Sequence, residues 1–340
     1  MTTGGSAPTP RSVSVIVPTF RPGDGLRDPV AAVLDDPAVA EVVIVLDRRA
    51  PMASDAVERL LPRDHRVRVS RAPAPGPSVA RAHGVELARG DVVLFLDDDV
   101  VPAHRAVTGH LRRHAEAAGR VVVGYMPVAA MRLVESATAR IYARDYEAVC
   151  REYDSGGNAV LRNLWGGNIS MRRTDAQRVG IATERFRFTQ HEDRELGLRC
   201  LDAGLQGVFD RRLTAEHRYE REPERFLRLA REQVEATHAI HELHPDTAGP
   251  WDATQYRAGV PKRARWLVDV ARARGVARGE VSVLRALAGA SHALGARRVE
   301  GRALVLARVV VQDAAARAVE GQAATRAAMP ATIITKPRAT

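Results

Sequence analysis

Apolar residues along this chain gather in short runs of strand length, and stretches of helical periodicity separate them. Ser12–Thr19, Glu41–Asp47, Arg66–Arg71, Val92–Leu96 and Arg120–Tyr125 read as strands. Most are continuously apolar, the signature of strands buried on both faces. Leu26–Leu34, Ser78–Ala88 and Ala103–Ala118 read as helices between them, the latter two stopped by Gly90 and Gly119. This alternation predicts a mostly parallel, twisted α/β sheet covered by helices. Beyond it, Val128–Tyr153 has helical spacing, Asp154–Asn158 is a Gly-rich loop, and Asn163–Met171 holds a turn and a strand. Glu192–Ala203 is a helix closed by Gly204, and Gln206–Asp210 is a short strand. Glu222–His244 is a long helix with Pro223 near its start, His244–Trp251 is a loop rich in turn residues, and the remainder is helix rich in Ala, Arg and Val. No internal repeat is visible.

Composition adds limits. The 340 residues suffice for one large domain or two ordinary ones, and 45% are apolar. Two cysteines, Cys150 and Cys200, make no disulfide framework and fit a reducing compartment. Residues 1–11 lack an apolar run, so disorder and no signal peptide are expected there. No stretch reaches the ~18 apolar residues of a spanning helix. A cytoplasmic location is the expectation.

The net charge of +10 is unevenly placed. Residues 257–340 hold 16 Lys/Arg against 5 Asp/Glu, whereas the first 256 residues are nearly balanced. Such a segment suits peripheral contact with an anionic membrane face, with amphipathic helices at Ser282–Leu294 and Arg302–Val319. Alternatively its arginines simply face water, since Arg outnumbers Lys 49 to 2. Scarce aromatics and the lack of a binding motif argue against nucleic acid as a partner.

The strand Val92–Leu96 runs into Asp97, Asp98 and Asp99. Ligands bind at the carboxyl ends of strands in open α/β sheets. Three adjacent carboxylates repel one another unless a cation neutralises them, and Mg²⁺ or Mn²⁺ bridging a diphosphate would do so. Later, Asp193 shares a helical face with Leu196 and Cys200, which points it inward, whereas Glu192 shares the more polar face of Glu195 and Arg199.

Four segments stand in order: SVIVPTF at 14–20, GPSVARAHGVELARGDVVLFLDDDVVP at 76–102, WGGNISMRR at 165–173, and HEDRELGLRCLDAG at 191–204 followed by His217. Together they resemble the family 2 glycosyltransferases, of GT-A fold, over roughly residues 12–230. The resemblance implies a catalytic domain at 12–230, with a nucleotide-binding half at 12–125 and an acceptor half at 126–230. It leaves 231–340 as a basic helical extension. It implies that Pro18, Thr19 and Asp47 hold the base of a UDP-, GDP- or dTDP-sugar. Arg81 would steady the diphosphate or the acidic triplet, and Asp98 would reach the ribose or the sugar. Asp99, Asp97 and His217 become the metal ligands, for Mn²⁺ or Mg²⁺. Trp165, Gly166, Gly167 and Asn168 would border donor sugar and acceptor. Glu192 and Asp193 match the family's acidic pair, with Asp193 the general base of an inverting displacement. Two departures stand out: Ala82 replaces the family's asparagine, and Asp47 is followed by Arg48-Arg49-Ala50 instead of acid, Gly and Ser. A retaining transferase, a sugar nucleotidyltransferase and a non-catalytic sugar- or surface-binding module are the alternatives. Donor base, sugar and acceptor stay open.

Overall fold

The structure is a computed structural model that describes residues 8–183, 185–258, 265–274 and 277–328. It divides into two compact units, 1–220 and 221–340. The first seven residues, to which the expected disorder chiefly applies, lie outside the described part.

The first unit is built on one mixed eight-stranded sheet flanked by helices, as expected for a GT-A fold. Its strands are β1 (Val13–Thr19), β2 (Val39–Leu46), β3 (Val67–Arg71), β4 (Val92–Leu96), β5 (Val100–Pro102), β6 (Arg120–Tyr125), β7 (Asn168–Arg172) and β8 (Gln206–His217). The spatial order is β3-β2-β1-β4-β7-β6-β8-β5. The first four are parallel, and their carboxyl ends form one rim. β7 runs antiparallel to both β4 and β6, which returns the chain to that rim between the two halves. Burial explains the apolar runs: all of Val92–Leu96 and nearly all of β1 and β2 are buried. One hydrophobic cluster on this sheet includes Val15, Val17, Leu94 and Leu96; another includes Ile16, Val93, Phe95 and Leu196. The period of two thus divides each central strand between two packed faces.

Several boundaries differ from expectation for identifiable reasons. The helical stretch expected over Val128–Tyr153 is two helices, Ala130–Glu135 and Ala137–Asp154. Ser136 breaks it, because its extended backbone lets the hydroxyl accept from Ala139 N–H at 3.2 Å as an N-cap. The strand expected at Gln206–Asp210 continues to His217 through an irregularity opposite Gly124 and Tyr125. Its second half pairs with β5, so Val100 sits opposite His217.

In the second unit, Pro223–Leu243 is a 21-residue helix whose N1 proline is preorganised for the first turn. The expected domain boundary at 230 falls inside this helix. Ala277–Ala293 and Arg297–Ala328 cover the two stretches expected to be amphipathic helices. Among the described residues no helix is long and apolar enough to cross a membrane.

Candidate active site

Two glycines organise the site at the carboxyl end of β4. The backbone N–H of Asp97 donates to Gly167 O at 3.1 Å, so the turn before β7 is bonded directly to the start of the acidic triplet. Gly166 N–H donates to Asp193 Oδ2 at 2.6 Å. A Cβ at Gly166 would lie 3.3 Å from that oxygen, and one at Gly167 would lie 2.8 Å from Asp97 Oδ2. Gly167 also has φ +106°, a conformation side chains rarely adopt. Glycine is therefore required at 167 and tightly fitted at 166: carboxylates from two distant segments lie against this turn.

Arg81 closes the arrangement from below. Its helix, Pro77–Leu87, buries the guanidinium, which donates to Asp97 Oδ1 at 2.9 Å and Glu192 Oε1 at 3.0 Å. The sequence pointed Arg81 at the triplet; its simultaneous grip on Glu192, 111 positions along the chain, is legible only in the fold. Glu192 is accordingly half-buried against Arg81, and Glu195, which shares its face, is buried against Arg199 at 2.9 Å. Burial, with the charge of Asp193 beside it, pushes Glu192 up to about 7. Asp193 is raised as well, by burial, although the N–H groups of Gly166 and Arg194 favour its charged form. Leu196 and Cys200 are buried on its helix, as the inward face required. A small, open cleft abuts the pair, lined by Ser78, Arg81, Ile181 and Leu196 among others.

The other two aspartates diverge. Asp98 accepts from the Thr19 hydroxyl at the end of β1. Burial is the main reason its carboxyl rises to about 7, aided by Asp99 and Asp97. Asp99 faces His217, with Oδ2 3.3 Å from Nε2. His217 stands there because β5 and β8 pair across Val100 and His217. Its Nδ1 is buried with no partner among the described residues, while Nε2 is the nitrogen turned to Asp99. One carboxylate oxygen and one imidazole nitrogen fit a divalent cation whose remaining positions a diphosphate and water would fill, and nitrogen suits Mn²⁺ better than Mg²⁺. Among the described residues no cluster of three or more His, Cys, Asp or Glu is arranged to hold a metal. Asp97 does not complete one because its carboxylate is turned to Arg81.

The remaining expected residues are more scattered. Pro18 and Thr19 end β1 on the same rim. Asp47 follows β2 and accepts from Arg49 N–H at 2.8 Å and Gly76 N–H at 2.7 Å. Burial works to raise its pKa, but these hydrogen bonds prevail and hold it below the usual carboxylate range. Asn168 points away from the rim. Its Oδ1 accepts from His110 Nε2 at 3.0 Å and its Nδ2 donates to Leu213 O at 3.0 Å, deep in the core. Trp165 meets Tyr142 and Tyr146 edge to face, each at 5.3 Å, and Tyr142 stacks on Tyr219 at 4.2 Å beside His217. This aromatic wall was not foreseen. Tyr142 and Tyr146 stand four apart on one helix, so their spacing could have disclosed it.

The model of the family described as "Glycosyl transferase family 2" matches residues 14–180. No curated protein matches the chain. Among solved structures, the mannosyltransferase PcManGT from Pyrobaculum calidifontis, in complex with GDP-Man and Mn²⁺, is 16% identical. It has a TM-score of 0.55, with 93% of this chain and 90% of that one covered. A mycobacterial protein is 19% identical over 71% of this chain and 76% of that one, with a TM-score of 0.47. The matched segment runs from β1 past the acidic triplet and the two-glycine turn, and over it the chain carries a family 2 glycosyltransferase domain.

Proposed function

We propose that this glycosyltransferase moves a sugar from a nucleotide-diphosphate donor to an acceptor hydroxyl by a single inverting displacement, with Asp193 as general base. The observation that carries this reading is the Gly166–Gly167 turn, which lies against Asp193 on one side and Asp97 on the other. A donor whose diphosphate lies at the triplet then has its anomeric carbon near the turn, within reach of a base on the far side. Asp193 takes the acceptor proton as the new bond forms. Its two backbone hydrogen bonds fix the carboxylate, and its raised pKa makes it a better base than an exposed aspartate. Glu192 serves differently: it holds Arg81 against Asp97, and so keeps the positive charge under the diphosphate site.

Asp99 and His217 would hold a divalent cation, and when bound it offsets the charge developing on the leaving diphosphate. Thr19 would meet the base and Asp98 the ribose or the sugar. Asp47 supports that region through the Gly76 loop. The side chain of Asn168 is spent in the core and has no part in donor contact here.

A thermal-shift screen of UDP-, GDP- and dTDP-sugars with and without Mn²⁺ tests the donor side. Because the Pyrobaculum neighbour holds GDP-Man and Mn²⁺, that pair goes first. The expected outcome is one nucleotide that raises Tm only with the metal, an effect that Asp99→Ala abolishes. Equal stabilisation without metal, or in Asp99→Ala, contradicts the metal assignment.

A further inference from the structure

The second unit carries a surface that the catalytic reading does not use. Ala277–Ala293 and Arg297–Ala328 form a helical hairpin turned at residues 294–296, where Gly295 has φ +67°. One stripe of the first helix, Leu284, Ala288 and Ser291, is buried, and the two helices pack together. A neighbouring stripe is not covered. Val283 and Leu287, four apart, share one helical face, and Leu294 follows in the turn at the end of that helix; they are 69%, 47% and 84% exposed. Single exposed apolar residues need no explanation, but an aligned apolar stripe marks an interaction surface.

Charge selects the occupant. Arg297 and Arg298 are exposed at the same end of the hairpin as Leu294, next to half-exposed Val299. The acid of that turn, Glu300, is buried and faces His292 at 3.0 Å, so it does not offset them at the surface. Over residues 257–340 there are 16 basic and 5 acidic side chains. A second copy of this chain would bring Arg297 and Arg298 against the same arginines of its partner. An anionic bilayer complements the arginines and also offers an apolar layer to the leucines.

We propose that this hairpin face docks the protein onto an anionic lipid surface, with Val283, Leu287 and Leu294 entering the headgroup–acyl boundary and Arg297 and Arg298 meeting the headgroups. The docking does not depend on the catalytic assignment. The test is flotation of the full chain with vesicles of phosphatidylcholine, alone or mixed with phosphatidylglycerol, at low and high salt. The protein is expected to float with the mixed vesicles at low salt and to be released by high salt. Leu287→Glu combined with Leu294→Glu should lower the bound fraction at least ~10-fold, since two apolar insertions are replaced by charges repelled from the surface. Both positions are exposed, so the melting temperature should hold. Arg297→Ser with Arg298→Ser should weaken binding to mixed vesicles without touching the apolar stripe. Asp193→Asn should float like the parent protein, which separates failure of docking from failure of the catalytic reading. Absence from all floated fractions, or undiminished flotation of the double glutamate variant, overturns the proposal. So does a dimer seen by light scattering that the glutamate pair dissociates while no vesicle binding is found.

Discussion

Arg81 lies between two carboxylates that come from opposite ends of the catalytic unit, and a single guanidinium satisfies both. Its own pKa is raised by Asp97 and Glu192 against the opposing effect of burial, so it stays charged throughout the working pH range. The acidic pair beside it is different. Burial raises both Glu192 and Asp193, and Glu192 reaches about 7. Two carboxylates this close titrate as a coupled pair. A general base works only when deprotonated, so activity is present above the raised value and is lost as pH falls through it. The acid limb of kcat/KM is therefore expected above the value of about 4 of an exposed aspartate. A pH profile of kcat/KM checks this, and an acid limb near pH 4 would show that these carboxylates do not control the reaction. Asp193 was legible in the sequence because helical spacing tied it to Leu196 and Cys200. The setting of Glu192 was not, because its partner lies on a helix that no local pattern connects to it.

At the level of elements, the buried polar network beneath the sheet joins helix Ala106–Glu116 to β7. His110 Nδ1 and His114 Nε2 both lie 2.8 Å from the Ser170 hydroxyl, and His110 Nε2 lies 3.0 Å from Asn168. Burial pushes His110 down to about 4 and His114 down to about 3, the latter assisted by His110, Arg172 and Arg120. Both rings are neutral in the fold, while in the unfolded chain they take protons near 6.5. Their contribution to stability is complete above that pH and is lost as pH falls toward their folded values. Each histidine accounts for about 1.4 kcal/mol per pH unit in that window. Glu192 acts in the opposite sense, since a raised carboxylate favours the fold as pH drops below about 7. Comparing slopes isolates the histidines. The unfolding free energy of His114→Gln, measured by urea titration between pH 6.5 and 4, should fall less steeply than that of the parent by about this amount. Identical slopes would mean that His114 is protonated in the fold. The strands were legible because burial on both faces imposes apolar runs. The Ser136 break and the length of β8 were not, because a cap and a strand irregularity depend on geometry more than on hydrophobic period. Asn168 was misjudged for the same reason: the glycine turn beside it implied a ligand contact, yet the strand pleat turns its amide into the core.

Over the whole molecule, the order of motifs carried most of the reading. The strand-end triplet, the two-glycine turn and the acidic pair are separated in sequence by tens of residues, yet the fold brings them to one rim of the sheet. What the sequence could not disclose was the division of labour inside the triplet: Asp97 to Arg81, Asp98 to Thr19, Asp99 to His217. Neighbouring residues at a strand exit point in different directions, and only the partners on β1, β8 and the Arg81 helix decide which carboxylate does what. The charge asymmetry of the chain was visible at once, but the exposed stripe that gives it a use required knowing which helical face is covered. The account stands or falls on Asp193, and the most direct measurement is the turnover of Asp193→Asn set beside its donor affinity from calorimetry. The account predicts donor binding near that of the parent and a fall in kcat of at least ~10²-fold, the low end for loss of a general base. An active Asp193→Asn enzyme, with Glu192→Gln the inactive one, would contradict it.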